Sequence, residues 1–236
     1  MTTVAVTGCS GYIGRKVCGV LEKDESVSRV VGVDVRDPAF STRNLEFYRM
    51  DVRSPDVAAA LDGCSAIVHL AAVGGTGARD VITGGMRSLV RAAAEVGTGK
   101  LVFTSSALVY GSHGAGLTEE APVKPGPHAY AAANAEAEEA ARAFAFEHRD
   151  AVVTILRLAA VSGPSLPARP IVPVAASIQA LHEDDAARAV QHVLKELLPG
   201  TFNVAADAQA HAPGVVMSNE RLRSTGFVPE HTSSEA

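Results

Sequence analysis

Short runs of uninterrupted apolar and β-branched residues alternate along this chain with longer stretches in which apolar residues recur every three or four positions. The runs at 3–6, 29–34, 45–50, 66–70, 101–105 and 152–156 read as strands, and the stretches at 12–23, 55–61, 78–96 and 129–148 read as helices. The strands are apolar on both faces, which requires a layer of helices on each side of the sheet. The pattern therefore predicts an α/β protein built on a doubly wound parallel sheet. Past Gly163-Pro164 the rhythm weakens to a proline-bearing loop, a helix at 184–198, a short strand at 201–204 and an irregular tail. That is too little for a second domain, so residues 1–164 are expected to form the main unit and 165–236 a reduced appendage packed on it.

Composition narrows the class. Hydrophobic residues make up 47% of the chain and charged residues 20%, enough to bury a core. The net charge of -5 is spread without long runs of one sign, which argues against a nucleic-acid partner, and no basic amphipathic stretch suggests a membrane surface. Cys9, Cys18 and Cys64 are odd in number and lack metal-ligand spacing, so neither a disulfide framework nor a metal site is expected. With no targeting segment at the N-terminus, the expected location is the cytoplasm and the expected partner a small molecule.

The candidate chemistry begins at Thr7-Gly8-Cys9-Ser10-Gly11-Tyr12-Ile13-Gly14, between the first strand and the first helix. Glycines at this spacing permit a tight turn, close approach to a pyrophosphate and close packing of helix on strand, as in the Rossmann-type dinucleotide fold. The phosphates would rest on the helix N-terminus, against free N–H groups and the positive end of the dipole. The second strand ends in Asp34, 20 positions after Gly14, where a carboxylate can bind both adenosine ribose hydroxyls and repel a 2′-phosphate. NAD is thus favoured. Arg36 and Arg15 leave NADP open, since either could neutralise a 2′-phosphate.

The glycine spacing resembles that of the extended short-chain dehydrogenase/reductases, the NAD-dependent epimerase/dehydratase group. Four later segments resemble the same group in order: Met50-Asp51-Val52-Arg53, His69-Leu70-Ala71-Ala72, Phe103-Thr104-Ser105-Ser106-Ala107-Leu108-Val109-Tyr110-Gly111, and Leu156-Arg157-Leu158-Ala159-Ala160-Val161-Ser162-Gly163-Pro164. The resemblance implies that Gly8, Gly11, Tyr12, Ile13, Gly14, Asp34, Arg36, Asp51, Val52, Leu70, Ala71, Ala72, Thr104 and Ala160 line the cofactor. It implies that Ser106 polarises a substrate carbonyl and that Tyr130 is the general acid or base of a Tyr-x-x-x-Lys signature.

Here the chain departs from the group, because the residue four after Tyr130 is Asn134. An asparagine amide can keep hydrogen bonds to the cofactor ribose but carries no charge, so Asn134 is expected to hold cofactor without favouring the phenolate. His113, His128 and Lys124 are the nearby residues from which a substitute cation could come. The Ile82-Thr83-Gly84-Gly85-Met86 stretch also departs from the group's usual sequence, and a large substrate-binding lobe is missing. These features together predict an NAD(P)-dependent oxidoreductase, foremost a ketoreductase using Ser106 and Tyr130 on a small or flat apolar ketone, such as a polyketide-type one. The alternatives are a sugar-type epimerase or dehydratase and a non-catalytic dinucleotide-binding regulator. The small residues Ala133, Ala137, Ala140 and Ala141 at helical spacing, with the pairing habit of the resembled group, predict a homodimer through the helices at about 78–97 and 129–148.

Overall fold

A computed structural model of the chain describes residues 2–111, 115–165, 179–207 and 216–232. The first strand, β1 (Thr2–Thr7), leads through the glycine loop into α1 (Tyr12–Glu22), and β2 (Val27–Asp34) and β3 (Leu45–Arg49) follow. Next come α2 (Val57–Leu61), β4 (Ala66–His69), α3 (Gly84–Val96), β5 (Lys100–Ser106) and a short β6 (Ala115–Leu117). The second half holds α4 (Ala129–Glu147), β7 (Val152–Leu158), β8 (Ala160–Ser162), β9 (Ala180–His182), α5 (Glu183–Glu196), β10 (Gly200–Val204), β11 (Val216–Met217) and α6 (Glu220–Arg223). Seven strands form the main sheet in the order β10-β7-β5-β4-β1-β2-β3, and every pairing within it is parallel. The doubly wound sheet predicted from the apolar runs is the one observed.

The order reverses between β1 and β4, so the crevice beyond the C-terminal ends of these two strands is where such a sheet binds ligands. Two cores flank the sheet. Val4, Val6, Val30, Leu156 and Val204 pack with α1 and α5 on one face. On the other, Ala5, Val31, Ile67, Leu101 and Ile155 pack with α2, α3 and α4. Helix α5 carries Glu183, Asp184 and Asp185 in its first turn and Lys195 in its last, each sign matched to the dipole end it occupies.

The predicted helix at 78–96 is split. Gly75–Gly77 form a 3₁₀ turn and Arg79–Thr83 a π turn before α3 proper starts at Gly84. The cause is tertiary: the Thr83 hydroxyl donates to the Ala133 carbonyl on α4 at 3.0 Å, tying the wide turn to the neighbouring helix. At Gly85 a Cβ would come within 2.8 Å of the Val52 side chain, so this departure from the resembled group serves close packing of α3. The alanine stripe of α4 also has an internal use. Ala133, Ala137 and Ala141 are buried within this one chain, and only Ala140 of the four retains surface. The face read from sequence as one for a second copy is thus largely covered by the chain's own core.

Candidate functional site

At the tip of β1 the chain turns through Gly8, whose φ of +75° already disfavours any side chain. A Cβ there would also sit 2.7 Å from the Ala71 nitrogen, so the ends of β1 and β4 approach at backbone distance. At Gly14 a Cβ would lie 2.1 Å from the Gly8 carbonyl oxygen, which leaves glycine as the residue that lets α1 start against the loop. Both are the close-approach roles expected of a phosphate-cradling turn.

Asp34, at the end of β2, is buried and fixed by two backbone donors: the N–H of Ser10 to Oδ2 and that of Arg36 to Oδ1, each at 3.0 Å. Each carboxylate oxygen keeps a further lone pair. Ser10, which the sequence reading did not single out, also donates its hydroxyl to the Arg36 carbonyl at 2.7 Å, so the glycine loop holds the acidic residue in place. The Arg36 guanidinium points largely into solvent, its Nε 3.7 Å from Asp34. Asp51 is gripped by Arg53 through Nε at 2.9 Å and Nη2 at 2.7 Å, and this pairing holds its carboxyl below the usual range.

A single cavity of about 1050 Å³ opens over these strand ends. Every residue expected at the site except Asn134 lines it: Gly8, Gly11, Tyr12, Ile13, Gly14, Asp34, Arg36, Asp51, Val52, Leu70, Ala71, Ala72, Thr104, Ser106, Tyr130 and Ala160. Ser106 ends β5 and its Oγ accepts the N–H of Leu108 at 3.2 Å, capping the 3₁₀ turn Ala107–Tyr110 while its own O–H remains a donor. Tyr130 stands on the first turn of α4. Burial raises its phenol above the ordinary value, with the Asn134 amide partly opposing. The Tyr12 phenol is pushed up to about 12, by burial first and then by Tyr130 and Glu183.

Asn134 is buried, and its Nδ2 donates to the Tyr130 carbonyl at 2.8 Å. Of the substitute cations considered from sequence, Lys124 and His128 are exposed and do not line the cavity, and His113 lies outside the described residues. All three cysteines are buried as free thiols, and burial raises each of their pKa values.

Two residues that the sequence reading left aside hold α4, which carries Tyr130, to β5, which ends in Ser106. Glu138, one turn beyond Asn134 on α4, is fully buried and accepts from the Ser105 hydroxyl at 2.7 Å. Arg157 on β7 donates to it through Nε at 3.0 Å and Nη2 at 2.8 Å, and through Nη1 to the Tyr110 hydroxyl at 2.8 Å. This network fastens α4 to β5 beside Ser106. A lone arginine inside the apolar strand 152–158, and a glutamate eight positions after Tyr130, were the available signals.

Residues 4–183 match the sequence model of the NAD dependent epimerase/dehydratase family. An uncharacterized protein of Mycobacterium tuberculosis is 29% identical over 255 residues, which cover 96% of this chain and 66% of the relative, so the chain spans about two thirds of that length. A second uncharacterized protein of Mycobacterium tuberculosis is 35% identical over 104 residues, 44% of this chain and 12% of the relative. Among solved structures, the dTDP-glucose 4,6-dehydratase DesIV from Streptomyces venezuelae with NAD and TYD bound superposes with a TM-score of 0.86 at 21% identity, covering 99% of this chain and 94% of that one. The UDP-glucuronic acid 4-epimerase from Bacillus cereus in complex with NAD gives a TM-score of 0.86 at 19% identity, covering 99% and 95%. At these identities the likeness establishes the fold.

Proposed function

The chain belongs to the NAD dependent epimerase/dehydratase family, and on that premise we propose that its cavity binds a nicotinamide dinucleotide, NAD in preference to NADP, and that the protein is an oxidoreductase. The carrying observation is that the glycine loop, Asp34, Ser106 and Tyr130 share one cavity wall. NAD in the similar structures and the buried Asp34 carboxylate both support the choice of cofactor. When bound, the cofactor gives or takes hydride at its nicotinamide ring.

In this reading the Ser106 hydroxyl holds the substrate oxygen and Tyr130 exchanges a proton with it. Tyr130 is partly buried and no lysine lines the cavity among the described residues, so its neutral form is favoured. A neutral phenol donates to a forming alkoxide, which supports reduction, and we propose a ketoreductase whose substrate is a small or flat apolar ketone. The names of the structural neighbours favour a second reading, epimerisation or dehydration of a sugar-like hydroxy compound. That chemistry needs the cofactor restored within each turnover and therefore firmly retained.

Purified protein distinguishes the two. Stoichiometric NADH consumption with a ketone panel supports the reductase. Copurifying NAD that stays spectrally unchanged while a hydroxylated substrate turns over supports the second reading. Binding of NADH with neither activity identifies a dinucleotide-binding regulator, and failure to bind any dinucleotide sinks the proposal.

We also propose a cytoplasmic homodimer. A shallow groove between α3 and α4, lined by Val90, Ala94, Ala140, Ala143 and Phe144 and edged by Arg91, Glu147 and His148, supports the dimer, and Phe146 on α4 lies 68% exposed. No described helix is long and apolar enough to cross a membrane. Sedimentation as a monomer at tens of micromolar would remove the dimer.

A further inference from the structure

Three arginines line the cavity, and two of them have a carboxylate: Arg36 lies by Asp34 and Arg53 grips Asp51. Arg15 has none among the described residues. Its Nη2 donates to the Ser165 carbonyl at 3.1 Å, and its Nε is buried without an acceptor among the described residues. The contrast with Lys16, the next residue, is sharp, since that ammonium lies 3.0 Å from Glu183 and 2.8 Å from Asp184. A half-buried guanidinium whose Nε is shielded and whose only described partner is one neutral carbonyl is incompletely compensated, so an anion beside it in the cavity gains charge-assisted hydrogen bonds.

Position fixes which anion. Arg15 follows Gly14 directly, in the first turn of the helix whose start is cradled by Gly8. Its contact with Ser165, whose N–H donates to Glu183 at 3.3 Å, turns it toward the α5 side of the cavity. The residue held at Asp34, where an adenosine ribose would lie, is Arg36.

We propose that Arg15 is the counter-charge for the diphosphate of the bound dinucleotide, and that it therefore strengthens binding of NAD and NADP alike instead of selecting between them. This rests on the dinucleotide reading above and extends it by separating the two arginines that the sequence alone left equivalent. Arg15 supplies binding energy common to both cofactors, and Arg36 is the residue placed to respond to a 2′-phosphate.

The test is calorimetric titration of wild type, Arg15→Ala, Arg15→Gln and Arg15→Lys with NADH, NADPH, ADP-ribose and adenosine. Both uncharged variants are expected to lose about tenfold in affinity for the three diphosphate ligands, equally for NADH and NADPH, with adenosine unchanged and most of the loss restored by lysine. Rescue by glutamine would overturn the proposal, because the Ser165 tether and not the charge would then matter. A loss confined to NADPH would reassign Arg15 to the 2′-phosphate, and an equal loss for adenosine would mean local misfolding; either outcome overturns it. So does an unchanged affinity in all variants. A wild-type chain that binds none of the dinucleotides would remove the reading of the pocket itself, a result separable from the others because it appears before any substitution is made.

Discussion

The Asn134 side chain donates its amide to the backbone carbonyl of Tyr130, one turn back on α4, at 2.8 Å. The group that stands in place of a lysine is thus engaged with its own helix, and no positive charge reaches the Tyr130 phenol from that position. Burial is left as the leading influence on Tyr130, and it favours the protonated form. Oxidation of an alcohol, which needs the phenolate, is expected to climb as pH rises toward the raised Tyr130 pKa, while reduction stays comparatively flat. Asn134→Lys should move the alkaline limb of the oxidation profile down by about one pH unit and speed oxidation more than reduction. The substitution enlarges a buried side chain and should cost about 1–3 kcal/mol of stability, read by urea unfolding. Oxidation by wild type that is fast and level across the neutral range would reject this account of Tyr130.

The Ser10 and Arg36 backbone donors set the orientation of the Asp34 carboxylate. Asp34→Asn keeps the shape and removes the charge that opposes a 2′-phosphate. NADH affinity should fall by about tenfold while NADPH affinity holds or rises, the ratio being read by parallel calorimetric titrations. An unchanged ratio would mean that Asp34 does not meet the adenosine ribose.

The doubly wound parallel sheet and the glycine loop were legible because each rests on a local demand with few solutions. Continuous apolar runs require two covering layers, and Gly8 and Gly14 occupy positions where a Cβ meets backbone. What escaped depended on partners distant in sequence. The π turn at Arg79–Thr83 answers to Ala133, 50 residues on, and β8 and β9 pair over only three residues each, too few to give a period. Periodicity also identified the alanine face of α4 without saying that the chain's own core would cover it. Gly8 and Gly14 were legible because backbone geometry dictates the residue type there, whereas the orientations of Arg15 and Asn134 are rotamer choices that spacing cannot express.

Glu138 and Arg157 form a buried pair that also holds the hydroxyls of Ser105 and Tyr110. Removing one partner leaves an uncompensated charge, so Glu138→Ala should destabilise the fold by about 3–5 kcal/mol. Arg142 also contacts Glu138, but its side chain is 45% exposed and its removal should cost about 1 kcal/mol or less. Chemical denaturation of the two variants side by side measures the difference. Equal costs would show that the buried Arg157 pairing contributes no more than a surface ion pair.

His69 ends β4 with no exposed surface, its Nδ1 2.7 Å from the Thr7 hydroxyl and its ring stacked on Phe103. Burial pushes its pKa down from 6.5 to about 4, so the folded protein keeps this imidazole neutral. The unfolded chain, by contrast, takes up a proton as pH falls through 6.5. Between those two values the unfolded state binds more protons, so stability falls with falling pH and the loss is complete near the folded pKa. At about 1.4 kcal/mol per unit the loss from this one group reaches about 3 kcal/mol. Glu138 and Asp185, whose carboxyls are held below their usual values, add an acid-side loss of their own at lower pH. His69→Gln separates the contributions by removing the imidazole and keeping polar atoms near Thr7. The variant should be less stable than wild type at neutral pH through imperfect packing, yet lose much less stability between pH 6.5 and about 4. Urea midpoints taken at half-unit steps across that window give the two slopes. Parallel slopes would mean that His69 is protonated in the folded state, and the orphaned Nε2 would then require an acceptor inside the core.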